Sequence, residues 1–157
     1  MQSNYEAVKE FTEQSTNKPS PNIPCKMTKE EVMFIVKMVL SEMTELCQTV
    51  TDSNDDAVDM MVKCIGVDPS KHKKYENDVE IIADQADAMV DAWYYMLNAA
   101  SKKGMDLSAL FEVVHKANMD KRDPKTGKFI RRADGKILKP KGWKPADVVG
   151  EIKRQII

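Results

Sequence analysis

The sequence predicts an all-α fold, a bundle of four to five helices with a short basic β-hairpin tail. Three features carry that prediction. Apolar residues recur at helical spacing along several long segments, capping residues stand at their starts, and the one clear turn-and-strand pattern lies near the C-terminus.

Residues 4–15 read as a short helix with Val8 and Phe11 on one face. Pro19, Pro21 and Pro24 then impose an extended linker, because proline fixes its own φ and restricts the residue before it. Thr28 followed by Glu31 is a capping-box pattern, and the helix it opens is expected to run to about Val50. Asn54 or Asp55 caps a further helix through Ile65, with Val58, Met61, Val62 and Ile65 apolar and Gly66 as its stop. Val67–Tyr75 is a lysine-rich loop in which His72 is expected to be exposed.

A long helix is expected from about Asn77 to Lys103, closed by two lysines and Gly104, a favoured C-terminal arrangement. Asp106 caps the next, Leu107 to about Asn118. The pattern then changes. Lys128–Arg131, the turn Asp134-Gly135 and Lys136–Lys139 form the expected hairpin. Gly142–Asp147 leads into a last short helix, and no internal repeat or low-complexity segment interrupts a reading of residues 1–157 as one domain, with a basic tail at about 119–147.

The composition, 42% hydrophobic and 31% charged, is that of a globular chain. No apolar run approaches the roughly 20 residues that span a bilayer, and the N-terminus lacks the pattern of a secretory signal, so no membrane association is expected. Cys25, Cys47 and Cys64 are widely spaced and odd in number, which argues against a disulfide framework or a zinc site and points to a reducing cytoplasm. The net charge of −1 conceals an asymmetry. Ten basic and three acidic residues between Met119 and Lys144 give that segment about +7 and leave about −8 elsewhere. An anion carrying a bound metal would engage both parts.

The acidic residues fall in a pattern. At about 100° per residue, Glu42 and Glu45 lie in the same sector as Ile35, Met38, Val39 and Leu46. Carboxylates buried among aliphatic side chains are costly unless a cation or donors meet them. On the long helix, Glu80, Asp84, Asp87 and Asp91 form one stripe, continued by Tyr94 and Asn98, opposite an expected core side of Ile82, Met89, Trp93 and Met96. No basic residue between Lys74 and Lys102 offsets that stripe. Taken alone, an acidic stripe is most often a solvated face. Two such sets on successive long helices suit a hard divalent cation, magnesium or manganese, rather than zinc.

These residues resemble the all-α nucleoside triphosphate pyrophosphohydrolases, which include MazG proteins, dimeric dUTPases and phosphoribosyl-ATP pyrophosphohydrolase. That family carries Glu-Glu-x-x-Glu on one helix and Glu-x-x-Asp on a later one. Here the first reads Ser41-Glu42-Met43-Thr44-Glu45 and the second Asp84-Gln85-Ala86-Asp87, so Ser41 and Asp84 depart from the pattern. Asp87-x-x-x-Asp91 competes with Asp84-x-x-Asp87 for the second ligand pair. The chain is similar to the phosphoribosyl-ATP pyrophosphohydrolase-like branch through Val8-Lys-Glu-Phe11, Asn118-Met-Asp-Lys121, Asp134-Gly-Lys-Ile-Leu-Lys139 and Trp143-Lys-Pro-Ala-Asp147.

The resemblance implies magnesium-dependent hydrolysis of a nucleoside triphosphate, a dNTP first, between its α and β phosphates, with phosphoribosyl-ATP as the alternative substrate. It implies Glu42, Glu45, Asp84, Asp87 and Asp91 as metal ligands, with either Glu45 or Asp87 as the base. Asn118 and Lys121 would meet the substrate, with Arg122, Lys125 and Lys139 as further phosphate contacts. It also implies a homodimer or homotetramer. Local sequence alone makes Asn118 equally a helix C-cap, His115 a packing or helix-end residue, and Trp143 more an anchor of the tail than a cover for a base. The rival readings are a non-catalytic helical interaction module and a nucleic-acid binder. The second ranks low, because only Phe129 and Trp143 accompany the basic tail and the rest of the chain is acidic.

Overall fold

The computed structural model describes residues 2–66 and 73–157, so most of the expected Val67–Tyr75 loop, including His72, lies outside the described residues. Among them are six helices: α1 (Asn4–Thr16), α2 (Lys29–Gln48), α3 (Asn54–Cys64), α4 (Asp78–Ser101), α5 (Leu107–Met119) and α6 (Val148–Ile156). No sheet occurs among the described residues, and the fold is all-α. No helix among them is long and apolar enough to cross a membrane.

The caps explain the boundaries. Thr28 and Glu31 form the expected reciprocal box at α2, and Ser3 with Glu6 builds a second at α1. Ser53, not Asn54 or Asp55, caps α3. Its side chain accepts from the Asp56 N–H, and an N-cap hydroxyl at that distance relieves one orphan donor without adding charge. Asn77 Oδ1 accepts from the Glu80 N–H at the start of α4, and Asp106 accepts from Ser108 and Ala109 at the start of α5. After α4 the chain turns through Gly104, whose φ of 69° is a left-handed conformation that glycine adopts without strain.

The expected hairpin is smaller than a pair of strands. It consists of one antiparallel bridge, Arg131 with Ile137, and flanking backbone bonds from Arg132 to Lys136 and Leu138 to Ile130. The tail's side chains do more to hold it. Phe129 meets Phe11 edge to face at 5.3 Å, and Arg131 Nε donates to the Ser15 carbonyl at 2.6 Å.

The described residues divide into two compact units, Met1–Ile23 with Val90–Ile157, and Pro24–Met89. In the first, α5 packs on α6 and α1. In the second, α2 packs on α3, and Gln85 pairs its amide with both backbone groups of Met27. The buried apolar residues are mostly small: Ala7, Cys47, Ala57, Ala100, Ala117 and Met119. Among the described residues, the side of α4 expected as core is not buried. Met89, Trp93 and Met96 are exposed and Ile82 is half-buried.

Candidate active site

Glu42 and Glu45 stand on α2 among Ile35, Met38, Val39 and Leu46, as the helical spacing requires. That sector is open, not buried as expected: Ile35, Met38, Val39 and Leu46 are exposed, and the buried residue of α2 is Cys47. Both glutamates are exposed, and so are Asp87 and Asp91 on α4. None of the four forms an ion pair or side-chain hydrogen bond with another described residue. Asp91 falls in a different compact unit from the other candidate ligands.

Asp84 is half-buried and is already met. Lys73 Nζ lies 2.7 Å from its Oδ2, and the Tyr75 hydroxyl donates to the same oxygen at 3.1 Å. The Lys73 bond first, and the Tyr75 bond after it, hold the Asp84 carboxyl below its ordinary pKa. Lys73 precedes the stretch in which the sequence offers no basic residue, and it reaches forward to pair with Asp84 of the stripe.

Among the described residues no group of three or more histidine, cysteine, aspartate or glutamate side chains converges to hold a metal ion. The donor chemistry is nonetheless uniform. All five candidates are carboxylates, the oxygen donors that magnesium and manganese take.

The basic residues behave differently. Lys121, at the end of α5, is half-buried and its Nζ bonds Asn118 Oδ1 at 2.7 Å. Asn118 thus orients Lys121 instead of capping α5, whose C-cap is Asp120. Trp143 Nε1 donates to the Ala117 carbonyl at 2.7 Å, which pins the tail to α5. Over its ring lie two ammonium groups, Lys139 at 4.6 Å and Lys121 at 5.4 Å from the centroid. Neither has a carboxylate within salt-bridge distance among the described residues. Burial, and after it the Lys139 charge, lowers the Lys121 pKa.

Arg122 is tied back by its Nε to the Met119 carbonyl at 3.1 Å. It borders an open groove of about 560 Å³ shared with Trp143, Lys141, Lys144 and the carboxylates Asp120 and Asp123. Lys125 is exposed on the Asp123 turn and does not line this groove. His115 stacks on Phe111 at 5.7 Å, the packing role its position suggests. Sequence spacing brought Asn118 and Lys121 within reach of each other but gave no sign of Lys73, nor of Trp143 as the ring joining two lysines.

Comparison with known proteins agrees with this architecture. A family model described as phosphoribosyl-ATP pyrophosphohydrolase matches residues 6–118, well over half of the chain. A crystal structure of a "putative NTP pyrophosphohydrolase" from Exiguobacterium sp. 255-15 superposes with a TM-score of 0.81 at 27% identity, over 99% of this chain and 98% of that one. No curated protein matches. A match of that extent, on a fold shared end to end with a like-described protein, shows that the chain belongs to the phosphoribosyl-ATP pyrophosphohydrolase family.

Proposed function

We propose that the chain hydrolyses a nucleoside triphosphate, a dNTP first, between its α and β phosphates, yielding a nucleoside monophosphate and pyrophosphate with magnesium as cofactor. The observation that carries this reading is Lys121, a half-buried ammonium fixed by Asn118 and, among the described residues, without a carboxylate counter-ion. An uncompensated, oriented cation is a device for an anion.

Glu42, Glu45, Asp84 and Asp87 would hold the metal, with Asp91 in support. Bound magnesium supplies charge neutralisation between the carboxylates and the polyphosphate. Glu45 or Asp87 takes the proton from the attacking water as its oxygen adds to the α phosphorus. The bond from that phosphorus to the bridging oxygen breaks, and pyrophosphate leaves with the electron pair. Lys121, with Arg122, Lys125 and Lys139, meets the phosphate oxygens.

Assembly with further copies of the chain, as a homodimer or homotetramer, completes this reading. The apolar sector that carries Glu42 and Glu45 is exposed in one chain, as are Met89, Trp93 and Met96 on α4. Covering those faces withdraws the carboxylates from water, where a divalent ion is held more tightly.

The family match favours one second reading, phosphoribosyl-ATP as the substrate. A panel of canonical and modified nucleoside triphosphates and phosphoribosyl-ATP, with magnesium, separates the two. Pyrophosphate as the first product is expected. Orthophosphate as the first product, or full turnover by a Glu45→Gln variant, overturns the assignment, and no turnover of any member leaves the non-catalytic module.

A further inference from the structure

We infer that the tail adds its own half to a polyphosphate grip: Trp143 acts as a positioning residue that sets Lys139 beside Lys121, and the two ammonium groups together take a pyrophosphate-type anion without metal. This deepens the proposed reaction and rests on it for the identity of the anion. The family model ends at residue 118, so Lys121, Lys139 and Trp143 all belong to the segment that follows it.

Lys121 leaves the end of α5, and Lys139 lies 18 positions later in the tail. Nothing local brings them together. The Trp143 indole does so, because its Nε1–H is committed to the Ala117 carbonyl and its ring is thereby fixed in orientation. Both lysines lie over that fixed ring, at 5.4 and 4.6 Å from its centroid. Each gains from the ring's electron-rich face.

Two like charges on one ring repel, and the repulsion is felt. Lys139 contributes to the lowered pKa of Lys121. A pair made only to anchor the tail would be relieved by a nearby carboxylate, yet none lies within salt-bridge distance among the described residues. Elsewhere in the same stretch the cations do find acids: Lys116 pairs with Asp120 and Arg132 with Asp134. An anion with charge on two phosphorus centres relieves both ammonium groups at once. The adjoining groove, bordered by Arg122, Lys141 and Lys144 and also by the carboxylates Asp120 and Asp123, leaves open space beside Trp143 for the remainder of a longer chain.

The test is calorimetric titration of the full chain with inorganic pyrophosphate in a chelator, so that no divalent cation contributes. Lys121→Gln and Lys139→Gln are each expected to weaken binding about tenfold, the loss of one charge-assisted contact. Lys136→Gln, at an exposed tail lysine that is not among those over the ring, should bind as the parent does. Trp143→Phe keeps a ring but removes the Nε1 donor, and should weaken pyrophosphate to the same degree as Lys139→Gln. If that variant fails to fold, the lysine variants decide alone.

Parent-like affinity in Lys139→Gln, or an equal loss in Lys136→Gln, overturns the inference in favour of a diffuse basic patch. In the turnover assay, a matching rise in KM assigns the pair to the substrate's phosphate chain. An unchanged KM assigns it to the released product, and both outcomes support the site. Absence of any turnover with Lys139-dependent pyrophosphate binding intact removes the proposed reaction and leaves this site standing.

Discussion

Lys73 Nζ stands 2.7 Å from Asp84 Oδ2, so one acid of the α4 stripe carries its own cation within the chain. Lys73 is exposed, and an exposed pair contributes only about 0–1 kcal/mol. That is too little to keep a divalent ion from the carboxylate, but enough to compete with it. Lys73→Gln is therefore expected to tighten magnesium binding by up to about fivefold, read as a lower magnesium requirement for turnover. Weaker magnesium binding in the variant would show that Lys73 supports the ligand instead of competing for it.

Asp106 joins two helices of one unit. Its carboxylate caps α5 through the Ser108 and Ala109 N–H groups, while its own N–H and carbonyl pair with the side-chain amide of Gln155 on α6. Asp106→Ala removes the cap and should cost about 0.5–2 kcal/mol. Gln155→Ala removes the other pair and should cost about 1 kcal/mol. Urea denaturation with an unchanged m-value checks both, and a Gln155→Ala midpoint equal to the parent's would mean that α6 is held by apolar contact alone.

The lowered pKa of Lys121 gives anion binding an alkaline limb. Its ammonium is destabilised first by burial and then by Lys139, so it loses its proton below the ordinary lysine value of 10.5. The charged form is the one that holds phosphate, so pyrophosphate affinity should fall as pH rises toward 10.5, earlier than for an exposed lysine. The same linkage makes folding stability rise with pH over that interval, since the unfolded chain binds more protons there. Lys121→Arg keeps its charge throughout and should flatten the limb in a pH series of pyrophosphate titrations. A limb that persists in this variant would belong to another group.

The helices were legible in the sequence because their signals are local. Thr28 with Glu31 and Asp106 ahead of α5 are read within four residues of each other, and both caps stand as expected. The hairpin was legible only as a turn. Asp134-Gly135 does reverse the chain, but a single bridge follows it, because Phe129 packs on Phe11 and Arg131 on the Ser15 carbonyl instead of extending a ladder. Helical phase placed Glu42 and Glu45 correctly among Ile35, Met38 and Leu46 but said nothing of what faces that sector. Amphipathic periodicity marks a face that wants a neighbour without saying whether the neighbour lies in the same chain. Lys73 with Asp84, and Lys139 with Lys121 across Trp143, are contacts between a loop or tail and a helix, with no period to reveal them.

The exposed faces of α2 and α4 make the strongest demand on solution behaviour. Phe34 is 64% exposed, Trp93 50% and Tyr95 72%, and Met33, Val36 and Met89 lie on the same two helices. A half-exposed tryptophan still has roughly 100 Å² to bury, about 2.5 kcal/mol at 25 cal/mol per Å², and a symmetric contact counts it twice. Few soluble monomers leave so much apolar surface uncovered. Sedimentation velocity is therefore expected to return a dimer or tetramer at micromolar concentration. Phe34→Glu and Trp93→Glu, by placing a charge in the covered face, should each shift the population toward smaller species. If the carboxylates of α2 depend on that covering, the same variants should also raise the magnesium concentration needed for turnover. A monomeric parent chain with full magnesium-dependent activity would separate the site from the assembly.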